Sequence, residues 1–139
     1  MAASSPDPDQ ARAPRALAAT SVFIAIEQRR IHRDRPPERL AVSVVTIGEL
    51  RLGVLTATTG AQRDQRLETL TAAERLEPLS IDRQVAHAWS SLRLALRDAG
   101  RRMPLNDSWV AATAIAQRIP VVTQDDDYAE VPGLSVLRI

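Results

Sequence analysis

Short apolar runs alternate along this chain with longer amphipathic ones, and no other feature constrains the fold as strongly. RALAA (15–19), LAVSVVT (40–46), EPLSI (77–81), PVVT (120–123) and LSVLRI (134–139) are rich in Val, Leu and Ile and have the length of buried strands. Between them the spacing predicts five helices. The first runs from Thr20 to about Arg30 and the second from Ile47 to about Thr58. The third covers about Ala61 to Leu76, with Leu67, Leu70 and Leu76 on its apolar side. The fourth runs from Asp82 to about Ala99, with Val85, Trp89, Leu92 and Leu96 as a core or dimer stripe and Gly100 as its C′ residue. The fifth opens at NDSW and continues through VAATAIAQRI, until Pro120 forces the chain out of helix. Strands that alternate with helices imply an α/β fold of three layers: a central, mostly parallel sheet with helices on both faces. In such sheets ligands bind outside the carboxyl ends of the strands. Residues 1–15 hold three prolines and few large apolar side chains, so they read as a disordered extension, and 16–139 as one domain.

Composition narrows the chemistry. All 18 basic residues are arginine, so a P-loop and a Schiff-base enzyme, which need lysine, are excluded. Cysteine is absent, which removes disulfides, zinc–thiolate sites and cysteine nucleophiles. His32 and His87 are far apart and fit no ligand spacing; they read as surface or packing residues. No apolar run is long enough to span a membrane, and the N-terminus has no signal-peptide pattern, so a cytoplasmic location is expected. Carboxylates, hydroxyls and arginines remain.

Three groups of acids fall just after strands or at helix starts. Glu49 lies in VVTIGELRLGVL, where Thr46 and Glu49 also spell T-x-x-E, a capping box. Asp107 lies in LNDSWVAATAIA, where Asn106 or Asp107 can simply cap the helix. Asp125, Asp126 and Asp127 follow the strand PVVT and can form a solvated turn, although three adjacent acids repel unless a cation or arginine offsets them. Oxygen ligands without His or Cys suit a hard cation, Mg²⁺ or Mn²⁺, and such a site supports phosphodiester hydrolysis. A fourth acid belongs at the end of the first strand. Ala19 stands there, followed by the hydroxyls of Thr20 and Ser21.

These stretches resemble the PIN-domain ribonucleases, most closely the VapC toxins of type II toxin–antitoxin pairs. The family opens with Asp-Thr/Ser-Ser/Ala-Val/Ala; here ATSVFIA matches at Thr20, Ser21, Val22 and Phe23 and departs at Ala19. TIGELRLGVL supplies the second family acid as Glu49, NDSWVAATA the third as Asp107, and TQDDDY the fourth as Asp125, with Asp127 before Tyr128 as its companion. The resemblance covers residues 16–139. It implies a PIN-like fold and an endoribonuclease toxin that cuts structured cellular RNA, such as tRNA or rRNA, at a single-stranded loop.

By that resemblance Glu49, Asp107 and Asp125 hold Mg²⁺ (or Mn²⁺) with Asp127 supporting. Thr20, Ser21 and Thr123 would orient its waters, and Asn106 stands beside the third acid. Arg29, Arg30, Arg33 and Arg35 are candidates for the RNA backbone, against a solvated charged face as the plain reading. A VapB-type antitoxin is the implied partner and a homodimer the implied assembly. Ala19 would disarm the site, either as a change introduced to make a toxin harmless, the favoured reading because the remaining set is intact, or as a natural feature. A natural Ala19 would suit a non-catalytic RNA-binding or interaction protein on the same fold. Haloacid-dehalogenase-like phosphatases and response-regulator receivers also place acids at strand ends, but both use a lysine that this chain lacks.

Overall fold

Each of the five apolar runs forms a strand, and every pairing between them is parallel. In the computed structural model, which describes residues 15–28 and 39–139, the strands are β1 (Arg15–Ala18), β2 (Arg39–Ser43), β3 (Glu77–Leu79), β4 (Val121–Thr123) and β5 (Val136–Arg138). Their order in the sheet is β3-β2-β1-β4-β5. Ala18 is level with Val42 on one side and Val122 on the other, so β1, β2 and β4 end side by side. Arg15, placed by the sequence at the end of the extension, is the first residue of β1 and pairs with Glu77 at 2.8 Å.

Five helices cover the sheet among the described residues: α1 (Thr20–Glu27), α2 (Val44–Leu55), α3 (Gly60–Glu74), α4 (Arg83–Asp98) and α5 (Leu105–Gln117). Because strand side chains alternate between faces, the sheet carries two cores. Leu17, Ala19, Ala41, Leu79 and Val121 pack with Val85, Leu92 and Leu96 of α4 and with Val110, Ala111 and Ala114 of α5. Ala16, Ala18, Val42 and Val122 pack with Val22 and Phe23 of α1, Leu50 and Val54 of α2, and Leu70 and Ala73 of α3. The central strand is therefore buried on both faces, which is why it reads as a continuous apolar run. No helix among the described residues is long and apolar enough to cross a membrane.

Local chemistry sets most helix ends. Asp82 caps α4 by accepting from the Val85 amide at 2.9 Å, and Thr59 caps α3 through the Gln62 amide. Gly100, at φ +67°, closes α4: its amide donates to the Arg97 carbonyl and the Arg101 amide to the Leu96 carbonyl, the paired bonds of a Schellman turn. The end of α5 departs from the expectation for Pro120. Arg118 already takes the left-handed conformation at φ 56°, and the Ile119 amide donates to the Ala114 carbonyl, so the helix ends before the proline.

Two further expectations are corrected. β2 stops at Ser43 rather than running to Thr46, because Ser43 caps α2 by accepting from the Val45 amide at 3.1 Å. The β-branched Val44 and Val45 thus open a helix, where pairing and capping outweigh their strand preference. Leu67 is 44% exposed and lies off the apolar side of α3, which is carried by Leu70 and Ala73; the helix ends at Glu74, short of the partly buried Leu76.

Candidate active site

The adjacent carboxyl ends of β1, β2 and β4 bring the starts of α1 and α2 and one loop to the same edge, and Tyr128 of that loop reaches the first turn of α5. Ala19 follows β1 directly and holds the N-cap position of α1 in extended conformation, 1% exposed and with no side-chain cap bond. It packs in the same apolar cluster as Ala111 and Tyr128.

Thr20 and Thr46 position Glu49. The Thr20 hydroxyl donates to Glu49 Oε1 at 2.9 Å and lies 3.0 Å from the Thr46 hydroxyl. A hydroxyl has one proton, so Thr46 donates to Thr20 and Thr20 to Glu49. Thr46 is fully buried inside α2. The capping-box reading of Thr46 and Glu49 therefore fails: Ser43 is the cap, and Glu49 stands in the second turn with its carboxylate turned to Thr20.

A second hydroxyl pair holds the loop after β4. Ser21 Oγ lies 3.3 Å from Thr123 Oγ1 and accepts from the Gln124 amide at 3.2 Å, while Thr123 Oγ1 accepts from the Asp125 amide at 3.2 Å. Asp125 Oδ1 in turn accepts from the Asp127 amide at 3.1 Å. Asp126 pairs with Arg138; Asp126 and Asp127 are both exposed and Asp125 is half-buried.

Asp107 is the most perturbed of the acids. It lies in the first turn of α5, where Pro104 holds the N-cap position without a side-chain bond. Neither Asn106 nor Asp107 caps the helix, and Asn106 is exposed. The Asp107 carboxyl is pushed up from 3.8 to about 7. Partial burial contributes most, followed by a hydrogen bond that the protonated form shares with Asp127 and by the Asp127 charge; the Asp125 charge adds to these. Tyr128 opposes them by donating from its phenol to Asp107 Oδ1 at 3.2 Å. The chain's only tyrosine is itself 1% exposed. Burial and the charges of Asp107, Asp125 and Glu49 keep its phenol protonated, so it acts here as a donor.

Tyr128 thus senses all three acids assigned from the sequence, and Asp127 and Asp125 act on Asp107. Their donor chemistry fits a hard cation, all oxygen and partly desolvated. Among the described residues, however, no three Asp, Glu or His side chains are close-set enough to hold an ion. Ala19 directly precedes Thr20, the donor to Glu49, and shares an apolar cluster with Tyr128. Thr46 and Tyr128 were not singled out from sequence as site residues. A lone tyrosine behind three aspartates was a usable signal; the role of Thr46 was not visible, because it depends on how β1 and β2 pair. Arg29, Arg30, Arg33 and Arg35 lie outside the described residues, and His87 is exposed.

Residues 16–134 match the PIN-domain family model. The chain is 52% identical over 126 residues to ribonuclease VapC4 of Mycobacterium tuberculosis, covering 90% of this chain and 97% of that protein. It is 46% identical over 121 residues to ribonuclease VapC5 of the same organism, covering 86% and 90%. The crystal structure of VapBC-5 from M. tuberculosis, a member of the VapBC family of toxin–antitoxin systems, has a chain that superposes with a TM-score of 0.83 at 41% identity over 90% of this chain and 98% of that one. The chain belongs to the PIN-domain family and, within it, to the VapC ribonucleases.

Proposed function

We propose that this protein is the ribonuclease toxin of a toxin–antitoxin pair, with a Mg²⁺- or Mn²⁺-dependent site that Ala19 disarms. The observation that carries this reading is the shared environment of Asp107, Asp125 and Asp127, in which partial burial first, and acidic neighbours second, let the Asp107 carboxyl keep its proton to about pH 7. Glu49, Asp107 and Asp125 would hold the cation, with Asp127 supporting. When bound, such a cation supplies Lewis-acid polarisation of a phosphodiester.

The chain's own residues prepare the rest. Thr46 and Thr20 fix the Glu49 carboxylate, Tyr128 fixes Asp107, and Ser21 with Thr123 holds the loop that presents Asp125. Asp107, at about 7, exchanges its proton near neutral pH, so it can vacate the site when positive charge arrives. The proposed substrate is structured cellular RNA, a tRNA or rRNA. The proposed partner is a VapB-type antitoxin. A groove of about 420 Å³ beside Glu49, lined by Ile24, Leu50 and Gly53 together with Glu27, Gln28 and Arg66, supports a partner segment of mixed apolar and charged character lying there, as do Ile26, Leu52 and Leu55, which are 58%, 61% and 66% exposed on α1 and α2.

The experiment is an Ala19→Asp variant incubated with total cellular RNA, with Mg²⁺ and with chelator. It should cleave in a Mg²⁺-dependent way, and at least roughly 10²–10³-fold faster than the Ala19 chain, the scale of one major electrostatic contributor. A second reading, a non-catalytic RNA-binding protein, is favoured by one feature: Ala19 is packed into the apolar core rather than left facing a gap. An Ala19→Asp chain that binds RNA without cutting it would decide for that reading. Equal cleavage by both forms would remove position 19 from the metal site.

A further inference from the structure

A second surface feature stands apart from the acids. Arg93, Arg97, Arg101 and Arg102 line a groove of about 630 Å³, with Leu94 and Met103, along the last turns of α4 and the connection into α5. Asp98 is the single acid between Arg93 and Arg102. Arg101 is committed to structure: its guanidinium donates to the carbonyls of Ala129 at 2.6 Å and Glu130 at 2.5 Å. That clasp ties one wall of the groove to the segment directly after Asp125–Tyr128.

The other three arginines are exposed, and among the described residues none of them is in an ion pair; the two pairs present are Arg15–Glu77 and Arg138–Asp126. Trp89, Arg93 and Arg97 form an i, i+4, i+8 row on α4. The row begins next to the acid site, because the Trp89 indole donates to Ser108 Oγ at 3.0 Å and stacks on Trp109 at 4.3 Å, with the rings 4° apart. Arg93 lies 5.8 Å from the Trp89 ring centre, which steadies its guanidinium.

We propose that this groove carries the phosphate backbone of the RNA towards the acids. The inference rests on the ribonuclease reading above and adds the path of the substrate. Arg93 and Arg97 are about 6 Å apart along the helix axis at 1.5 Å per residue, comparable with the spacing of successive phosphates on an extended single strand. The planar guanidinium matches two phosphate oxygens at once. The Trp89 end of the row abuts Ser108, next to Asp107 in sequence, and Arg101 joins the groove to Ala129 and Glu130, two and three residues after Asp127. An acidic protein segment satisfies the charge alone and accounts for neither the spacing nor that endpoint.

The Ala19 chain suits the test, because it is expected to bind RNA without consuming it. Binding of a fluorescein-labelled RNA stem–loop is followed by anisotropy across a salt series for the chain as it stands, for an Arg93→Gln/Arg97→Gln/Arg102→Gln variant, and for an Arg63→Gln/Arg75→Gln control on α3 and its C-cap. Each lost phosphate contact on single-stranded nucleic acid lowers the log–log salt slope by about 0.7, so the triple variant should lose about 2 and the control nothing. Between about 50 and 200 mM salt the intact chain should then lose roughly fifteenfold more affinity than the triple variant. Should the triple variant not fold, Arg97→Gln alone should lower the slope by about 0.7. An unchanged slope in a folded variant, or no RNA binding by the chain as it stands, overturns the proposal. So does a groove variant that loses polyglutamate binding while keeping its RNA binding. Cleavage by the Ala19→Asp chain reads the ribonuclease assignment separately: cleavage with an unmoved salt slope rejects the groove and leaves that assignment standing.

Discussion

The Tyr128 phenol donates to Asp107 Oδ1 at 3.2 Å, joining a buried side chain from the loop after β4 to a carboxyl in the first turn of α5. Burial and the aspartates nearby push Asp107 from 3.8 up to about 7. The folded chain therefore binds this proton more tightly than the unfolded chain. The contribution to stability is complete below about pH 4 and is lost as pH rises through about 7. In metal-free buffer the thermal midpoint should fall across that interval, by an amount reduced by solvent screening because Asp107 is only partly buried. Asp107→Asn should flatten the profile. Melting curves collected at intervals of pH test this, and a wild-type profile that is level or rises over the same window would refute it.

Ala19 can be restored to a carboxylate, with two opposed consequences. An Asp at the N-cap of α1 gains an amide partner that Ala lacks, worth about 0.5–2 kcal/mol. The same carboxylate is placed at a position 1% exposed, near acids that already repel, which costs a comparable amount or more. Without metal, the Ala19→Asp chain should be no more stable than the chain as it stands. With Mg²⁺ it should gain more, since stabilisation by a ligand grows with its affinity. Melts of both forms with and without Mg²⁺ decide the point; equal Mg²⁺ shifts would detach position 19 from the cation.

The hydroxyl relay from Thr46 through Thr20 to Glu49 gives a third expectation. Thr20→Val keeps the shape and removes the donor at 2.9 Å from Glu49. In the Ala19→Asp background it should weaken Mg²⁺ binding by about 10–100-fold, the usual effect of losing a group that orients a ligand. Thr20→Ser should restore most of the affinity. Isothermal titration with Mg²⁺ separates these outcomes, and equal affinity in Val and Ser variants would show that the bond has no such role.

The residues α5 contributes to the core shared with β1, β2, β4 and α4 are small. Val110, Ala111, Ala112 and Ala114 are all fully buried. Ala111→Leu should overpack that contact and cost about 1–3 kcal/mol, seen as a drop of several degrees in the melting midpoint. Ala116→Leu, at a partly buried position nearer the helix end, should cost less. Equal midpoints for the two variants would mean that the inner face is misassigned.

The sequence by itself determined the architecture and the addresses of the acids. Alternation of short Val- and Leu-rich runs with amphipathic segments admits few folds besides a parallel sheet covered on both faces, and Glu49, Asp107 and Asp125 each follow a strand or open a helix at the carboxyl edge. Gly100 and Asp82 were legible for the same reason: a helix end is decided by a few adjacent residues. What only the tertiary structure decided is which groups meet. Thr46 resembled a cap in sequence because T-x-x-E is a local pattern, yet it faces Thr20, brought beside it by the pairing of β1 with β2. Tyr128 reaches Asp107, and Arg101 the carbonyls of Ala129 and Glu130, across 21, 28 and 29 residues of sequence. Such contacts have no periodicity to read; they arise from the packing of α5 and the loop after β4 against one sheet edge. The perturbation of Asp107 is of the same kind, since burial and neighbouring charge are properties of the folded surroundings and not of the residue.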